Sequence, residues 1–164
     1  MSDDASPSKR YFGKYRGTVI NNVDPMQIGR IQAIVPDVSG VVPSSWAMPC
    51  LPGAGINTGV FTVPQVGSGV WIEFERGEAS HPIWVGCFWN KGEVPDSASA
   101  DVKSIVTSAG TLAFDNGASS VILQDSNQDS LSLDASGATL SAGAGKVALD
   151  TSGVSINDGA LEVT

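Results

Sequence analysis

Hydrophobic and polar positions alternate along much of this chain with a period of two, which is typical of β-strands. In the first half, the alternation predicts short strands at residues 11–20, 29–35, 59–63, 69–75 and 82–88. We see no helical period there, and the four prolines of residues 36–57 indicate loops rather than helices. Five short strands around a Trp-rich core predict a small closed barrel of the OB type over residues 11–95.

The pattern changes after Pro95, where the chain has no Trp, Tyr, Pro, Cys or His. Pairs of apolar residues with one residue between them recur about every eight residues, separated by turn segments such as Asp134-Ala-Ser-Gly and Asp150-Thr-Ser-Gly. Such a repeat predicts stacked short strands. The seven pairs are Leu112/Phe114, Val121/Leu123, Leu131/Leu133, Ala138/Leu140, Val147/Leu149, Val154/Ile156 and Leu161/Val163.

This tail cannot bury enough apolar surface alone, because two modest side chains per unit do not offset about 1–2 kcal/mol of backbone entropy per residue. It is therefore disordered or packed against other copies, and the strict alternation favours packing. We expect an intertwined trimeric β-helix needle over residues 96–164, in which three chains form a triangular prism with strands paired between chains. The predicted trimer core is Leu112, Phe114, Val121, Leu123, Leu131, Leu133, Leu140, Val147, Leu149, Val154 and Ile156.

Charge is distributed unevenly along the chain. Residues 1–95 carry seven Lys and Arg against eight Asp and Glu, whereas residues 96–164 carry two Lys against nine acidic residues. An acidic tail repels nucleic acids and anionic membranes. Residues 1–10 are polar and predict a disordered arm rather than a secretory signal. Cys50 and Cys87 lie in apolar segments and are expected to be buried and reduced, although a disulfide between them stays open.

Candidate catalytic groups are few. Glu73 and Glu75 would share one face of a strand, as the two carboxylates of a glycosidase can, but a solvated strand face explains them better. His81 precedes a proline in a turn and has no nucleophile or metal-ligating partner in the sequence. The segment Gly53-Ala-Gly-Ile-Asn-Thr-Gly lacks a P-loop lysine and predicts a flexible loop. The sequence therefore predicts no enzyme, no cofactor and no metal site.

A basic cluster leaves one alternative open. Lys9, Arg10, Lys14 and Arg16 lie among Tyr11, Phe12 and Tyr15, and on an OB barrel such a cluster can bind single-stranded nucleic acid by base stacking. The alternative function is thus an OB nucleic-acid module with an acidic disordered tail. A docking surface or a solvated strand face is the preferred interpretation.

Three spaced blocks resemble the central spike family of contractile-tail baseplates, which includes baseplate assembly protein V and VgrG. They are Gly29-Arg-Ile-Gln-Ala-Ile-Val-Pro, Val63-Pro-Gln-Val-Gly-Ser-Gly-Val-Trp-Ile-Glu-Phe-Glu with Gly77, and Pro82-Ile-Trp-Val-Gly. The short repeats after Pro95 are similar to the trimeric needle of that family. The motif positions are Gly29, Arg30, Pro36, Pro64, Gly67, Phe74, Gly77, Pro82 and Gly86.

The resemblance implies a structural spike that sits on a baseplate hub and pierces the target envelope when the sheath contracts. It implies a phage or phage-tail-like particle, assembled in the bacterial cytoplasm. The chain lacks the hub domains of VgrG, so we expect a separate hub protein. The tail also lacks the iron-binding His-x-His pair of some phage spikes, so we expect a separate PAAR-type protein at its tip.

Overall fold

The computed structural model describes residues 9–163, so the predicted arm, residues 1–10, lies outside the described residues except for Lys9 and Arg10. The described chain is nearly all-β, as expected, and it divides into two compact units between Glu93 and Val94. The first unit contains a five-stranded and a two-stranded sheet, and the second unit contains an eight-stranded sheet.

Seven strands, one short helix and one 3₁₀ turn make up the described part of the first unit. They are β1 (Tyr15–Asn21), β2 (Gln32–Ile34), α1 (Pro36–Ser39), β3 (Met48–Pro49), β4 (Ala54–Gly55), β5 (Thr58–Gly59), β6 (Gly69–Phe74), the 3₁₀ turn Glu75–Gly77 and β7 (Pro82–Phe88).

Five of these strands form a sheet in the order β2-β1-β6-β7-β3, antiparallel except for β3 beside β7. The two ends of the sheet are linked by isolated bridges: Ile34 bridges to Pro43, and Ile31 and Ala47 exchange backbone hydrogen bonds of 3.2 and 2.7 Å. The first unit is therefore an OB-type half-barrel, with its core inside the curl of the sheet.

The core confirms the predicted alternation of β6 and of residues 29–35. Val70, Ile72 and Phe74 are buried on one face of β6. Ile31, Ala33 and Val35 are buried in the same cluster. The expectation of a Trp-rich core is wrong, because only Trp84 among the four tryptophans is buried. Its ring fits there because its indole N–H donates to the Gly29 carbonyl at 3.1 Å.

Several local predictions for this unit are wrong. The first strand begins at Tyr15 rather than Tyr11, and the strand predicted at residues 59–63 is not formed. The strand beside β7 is instead β3, which lies in residues 36–57, the segment that was predicted to form loops. Pro36 does not exclude a helix: it opens α1, where a missing backbone N–H costs nothing. The glycine-rich segment 53–59 forms the β4–β5 hairpin rather than a flexible loop.

The second unit is a single antiparallel sheet of eight strands in which sequence neighbours pair. Its strands are β8 (Val102–Val106), β9 (Gly110–Asp115), β10 (Ser120–Asp125), β11 (Ser130–Asp134), β12 (Gly137–Ala142), β13 (Gly145–Asp150), β14 (Gly153–Ile156) and β15 (Leu161–Val163). The repeat did not include β8, which has no two apolar residues separated by a single residue. Pairing between chains was also wrong for these strands, because the short turns let each strand fold back on its predecessor.

Candidate functional site

The strand register of the second unit collects its apolar residues on one face. Residues paired directly across antiparallel strands share a face, and Leu112 pairs with Leu123, which pairs with Leu131, which pairs with Leu140. The result is two parallel rows, which we call lane A and lane B. Lane A contains Phe114, Val121, Leu133, Ala138, Leu149 and Val154. Lane B contains Ile105, Leu112, Leu123, Leu131, Leu140, Val147, Ile156 and Leu161.

This two-lane face has no partner within the described chain. Leu131 is 45% exposed and Leu140 is 53% exposed, although they lie at the centre of the sheet. An open groove of about 590 Å³ runs over lane B beside the turns at 107–110 and 125–129. A contiguous exposed apolar face of this length is typical of a protein interface. The eleven predicted trimer-core residues all lie on this face, and their burial in a trimer stays a prediction.

The opposite face is built from small and polar residues. The positions paired across it include Ala113, Ser132, Thr139, Ala148 and Ser155, with Ile122 as the large apolar member. The sheet is thus amphipathic, which is the pattern of an antiparallel sheet with one face covered.

Local hydrogen bonds stabilise two of the turns that join neighbouring strands of this sheet. The Asp134 carboxylate accepts from the backbone and side chain of Ser136, and Asp150 accepts in the same way from Ser152. These side-chain and backbone hydrogen bonds lower the pKa values of both carboxyls. The two Asp-x-Ser-Gly copies therefore act as turn formers at equivalent positions.

In the first unit, a buried ion pair fixes the loop between β1 and β2. Asp24 accepts hydrogen bonds from the backbone N–H groups of Met26, Ile28 and Arg30, at 2.9–3.2 Å. The Arg30 guanidinium donates two more, at 3.0 and 2.6 Å. The hydrogen bonds from the Arg30 guanidinium are the main reason that the pKa of the Asp24 carboxyl lies well below its ordinary value. Arg30 also lies over the Trp46 ring, 5.4 Å from its centroid.

The remaining motif positions serve backbone geometry. Gly67 and Gly77 have φ of +94° and +76°, a region that favours glycine. Gly86, at φ +146°, lies where the β6–β7 register shifts. The Pro64 carbonyl accepts from the Asn22 side chain, and Pro82 is fully buried. With Gly29, Pro36 and Phe74 described above, every motif position lies at a turn, an element end or the core.

The structure does not assemble the candidate catalytic residues. Glu75 lies in the 3₁₀ turn, so it does not share a strand face with Glu73 as predicted. Glu73 forms an ion pair with Lys14. His81 is exposed and lies near Ser80 and Glu78.

The basic cluster is largely engaged within the chain. Arg10 pairs with Glu78 at 2.7 Å, and this partner is the main reason that the pKa of Glu78 is lowered. Lys9 lies over the Tyr11 ring, and Arg16 stacks on Trp71 and Phe88. Tyr11 and Tyr15 pack on Phe74 at the core, with ring centroids 5.8 and 5.6 Å from its own. Tyr11 and Tyr15 are therefore not free to stack on bases, whereas Phe12 is 73% exposed.

Both thiols are free and exposed, so their predicted burial is wrong. They line a cleft of about 370 Å³ near the β3–β7 edge, together with Trp84 and Pro64. Within residues 9–163, no group of three or more His, Cys, Asp or Glu side chains could hold a metal ion. No helix in that range is long and apolar enough to cross a membrane.

The sequence did not lead us to predict two features of the structure, the Asp24–Arg30 ion pair and strand β8. Asp24 looked like one residue of the turn cluster Asn21-Asn-Val-Asp-Pro, and its spacing of six residues from Arg30 was the only signal of the ion pair. Strand β8 was not predicted because Lys103 occupies one of its two lane positions, so the apolar pair of the repeat is absent.

The chain thus combines an OB-type half-barrel with an amphipathic sheet whose apolar face has no partner within the described residues. This combination defines the class as a structural protein that assembles with other chains. Residues 15–89 match the family described as the type VI secretion system/phage-baseplate injector OB domain. Residues 104–162 match the phage baseplate V C-terminal trimerisation domain. The chain therefore belongs to the phage baseplate V family of spike proteins, whose members are structural proteins of the baseplate. None of the curated proteins matches the sequence.

Proposed function

We propose that this chain is the structural central spike of a contractile injection machine and acts without catalysis. The barrel, residues 11–95, seats the spike on a separate baseplate hub protein. Residues 96–164 form a trimeric β-helix needle that pierces the target envelope when the sheath contracts. The particle is a phage tail or a phage-tail-like assembly formed in the bacterial cytoplasm.

The two-lane apolar face carries this proposal. It is continuous over eight strands, which at about 4.8 Å per strand spacing gives a sheet about 34 Å long. Two further copies can cover it symmetrically, since three such faces close a prism around one axis. The match to a trimerisation domain supports this homotrimer. Such a prism resists bending because each chain keeps its own hydrogen-bonded sheet while the lanes pack together.

We infer two partner proteins. A separate baseplate hub protein would bind the barrel, and the match to the baseplate injector OB domain supports this partner. A separate PAAR-type tip protein would cap the needle, as the resemblance to the spikes of contractile tails implies. Purified particles whose spike ends carry no additional protein would contradict this last part.

The first test is the mass of the chain in solution, by light scattering after size exclusion. We expect a trimer for the full chain and a monomer for a chain ending at Pro95. A monomeric full chain whose tail is cut readily by protease would overturn the needle and return the barrel to the nucleic-acid alternative.

A matched pair of variants tests the face itself. Leu131→Glu places three carboxylates in the proposed trimer core, and we expect it to abolish the trimer because a buried unpaired charge is costly. Ser132→Glu adds the same charge one residue later on the opposite face, and we expect it to remain trimeric. Equal effects of the two substitutions would show that the lanes do not form the interface.

A further inference from the structure

One charged side chain lies within the two lanes, whereas Asp125 lies on the same face of β10 but beyond lane B. Lys103 pairs with Phe114 across β8 and β9, so it occupies the first position of lane A. The lane positions that follow are all apolar. The Lys103 ammonium donates to the carbonyl of Ala100. It forms no ion pair among the described residues.

We propose that the three Lys103 side chains of the trimer form a cationic ring in the first layer of the needle, and that this ring binds one small oxyanion such as inorganic phosphate. This inference rests on the proposed trimer. A phosphate suits the site because its several oxygens can accept from three ammonium groups at once.

The position in the fold allows the three side chains to meet. Lane A faces the proposed axis, and packed sheets lie only about 10 Å apart, so a long lysine side chain from each chain can reach the centre. Strand β8 is the edge of the sheet, so the ring would lie in the first layer of the needle, with apolar lane positions on one side of it. Phe114 on the next strand forms an apolar floor, so the anion cannot move deeper without losing its partners.

Nearby carboxylates of the same chain do not neutralise this lysine. Asp115 lies on the opposite face, since the inward Phe114 precedes it, and it accepts from the Ala118 amide. The Asp101 carboxylate lies beside Gly117 in the turn after β9. Three uncompensated ammonium groups repel one another, and a bound anion would relieve that repulsion.

The other lysine of this unit supplies a matched control. Lys146 pairs with Ser141 across β12 and β13, so it lies on the opposite face, and it forms an ion pair with Asp158 at 2.8 Å. Lys146→Met therefore removes the same charge without touching the ring.

The experiment is thermal melting of the full-chain trimer at constant ionic strength while phosphate replaces chloride. For the wild type and Lys146→Met, we expect the Tm to rise by about 3–6 °C for each tenfold increase in phosphate above its Kd. We expect no such rise for Lys103→Met, whose Tm in chloride should equal or exceed that of the wild type. Calorimetric titration of the wild type with phosphate should give one site per three chains.

Each other result overturns the ring. Equal rises in all three proteins would reveal a general effect of phosphate on protein surfaces. No rise in the Tm of any of the three proteins would show that no free anion binds. Asp101→Asn, alone and combined with Lys103→Met, would then test whether carboxylates of neighbouring chains pair with Lys103 instead of the anion. The mass is measured first: a monomer overturns the trimer and the ring together, whereas a trimer that ignores phosphate overturns the ring alone.

Discussion

A single carboxylate determines the conformation of the loop between β1 and β2. Asp24 is buried and accepts five hydrogen bonds from the segment that ends at Arg30. The same loop contains Gly29, whose carbonyl accepts a hydrogen bond from the indole N–H of Trp84. One ion pair therefore links the loop conformation to the core of the barrel.

Asp24→Asn should lower the Tm of the barrel by more than about 10 °C, because it leaves the Arg30 guanidinium without its carboxylate in a largely buried site. Glu78→Gln, which breaks the exposed pair with Arg10, should change the Tm by no more than about 2 °C. Melting of the two variants followed by tryptophan fluorescence makes the comparison. Similar decreases in the Tm of both variants would show that burial of the Asp24–Arg30 pair does not increase its contribution to the stability of the barrel.

The same carboxylate predicts a dependence on pH. Its pKa is lowered in the folded state, so its stabilisation is present above the unfolded-state value of about 3.9 and is lost as pH falls below that value. We expect the Tm of the wild type to fall between about pH 5 and pH 2 more steeply than that of Asp24→Asn. Parallel profiles of the two proteins would contradict this assignment.

Two glycines of the eight-stranded sheet, Gly110 and Gly137, have no room for a side chain. Gly137 has φ of +141°, and a Cβ there would lie 1.9 Å from the Leu149 carbonyl oxygen. Gly137→Ala should therefore separate β12 from β13 and reduce the yield of trimer. Gly143→Asn is the control, since Gly143 has φ of +56° with open space around it, a conformation that Asn tolerates. Trimer yield after refolding measures both.

At the scale of the strand, stability should depend on which face a residue occupies. Leu140→Ala removes apolar volume from lane B and should cost about 2–5 kcal/mol for each chain. Thr139→Ala, the preceding residue on the opposite face, should cost less than about 0.5 kcal/mol. Denaturant unfolding of the two trimers tests this, and comparable losses would show that lane B is not buried.

At the scale of the whole molecule, charge opposes assembly. Residues 96–164 hold nine acidic residues against two lysines, and a trimer brings three such segments together. The Tm of the trimer should therefore rise by several degrees between about 20 mM and 500 mM NaCl, because salt screens the repulsion. The chain ending at Pro95 is nearly balanced in charge and should respond little. A trimer insensitive to salt would indicate that its acidic groups lie far apart or are paired.

Much of the architecture follows from short-range patterns. The period-two alternation located β6 and β7 and all but the first strand of the second sheet, because a strand with one buried face must alternate. The same alternation in a segment too poor in apolar surface to fold alone predicted that other copies cover its face. Gly67 and Gly77 could be assigned to turns because few other residues adopt positive φ without strain.

Other features depend on contacts between residues distant along the chain. The pairing of β3 with β7, the exposure of Cys50 and Cys87, and the position of Trp46 and Trp89 outside the core have no local signature, since they depend on how the sheet curls. The Asp24–Arg30 pair and the placement of Lys103 at the head of an apolar lane became visible only through loop conformation and strand register. Periodicity identifies which face a residue occupies, whereas the fold decides what lies against that face.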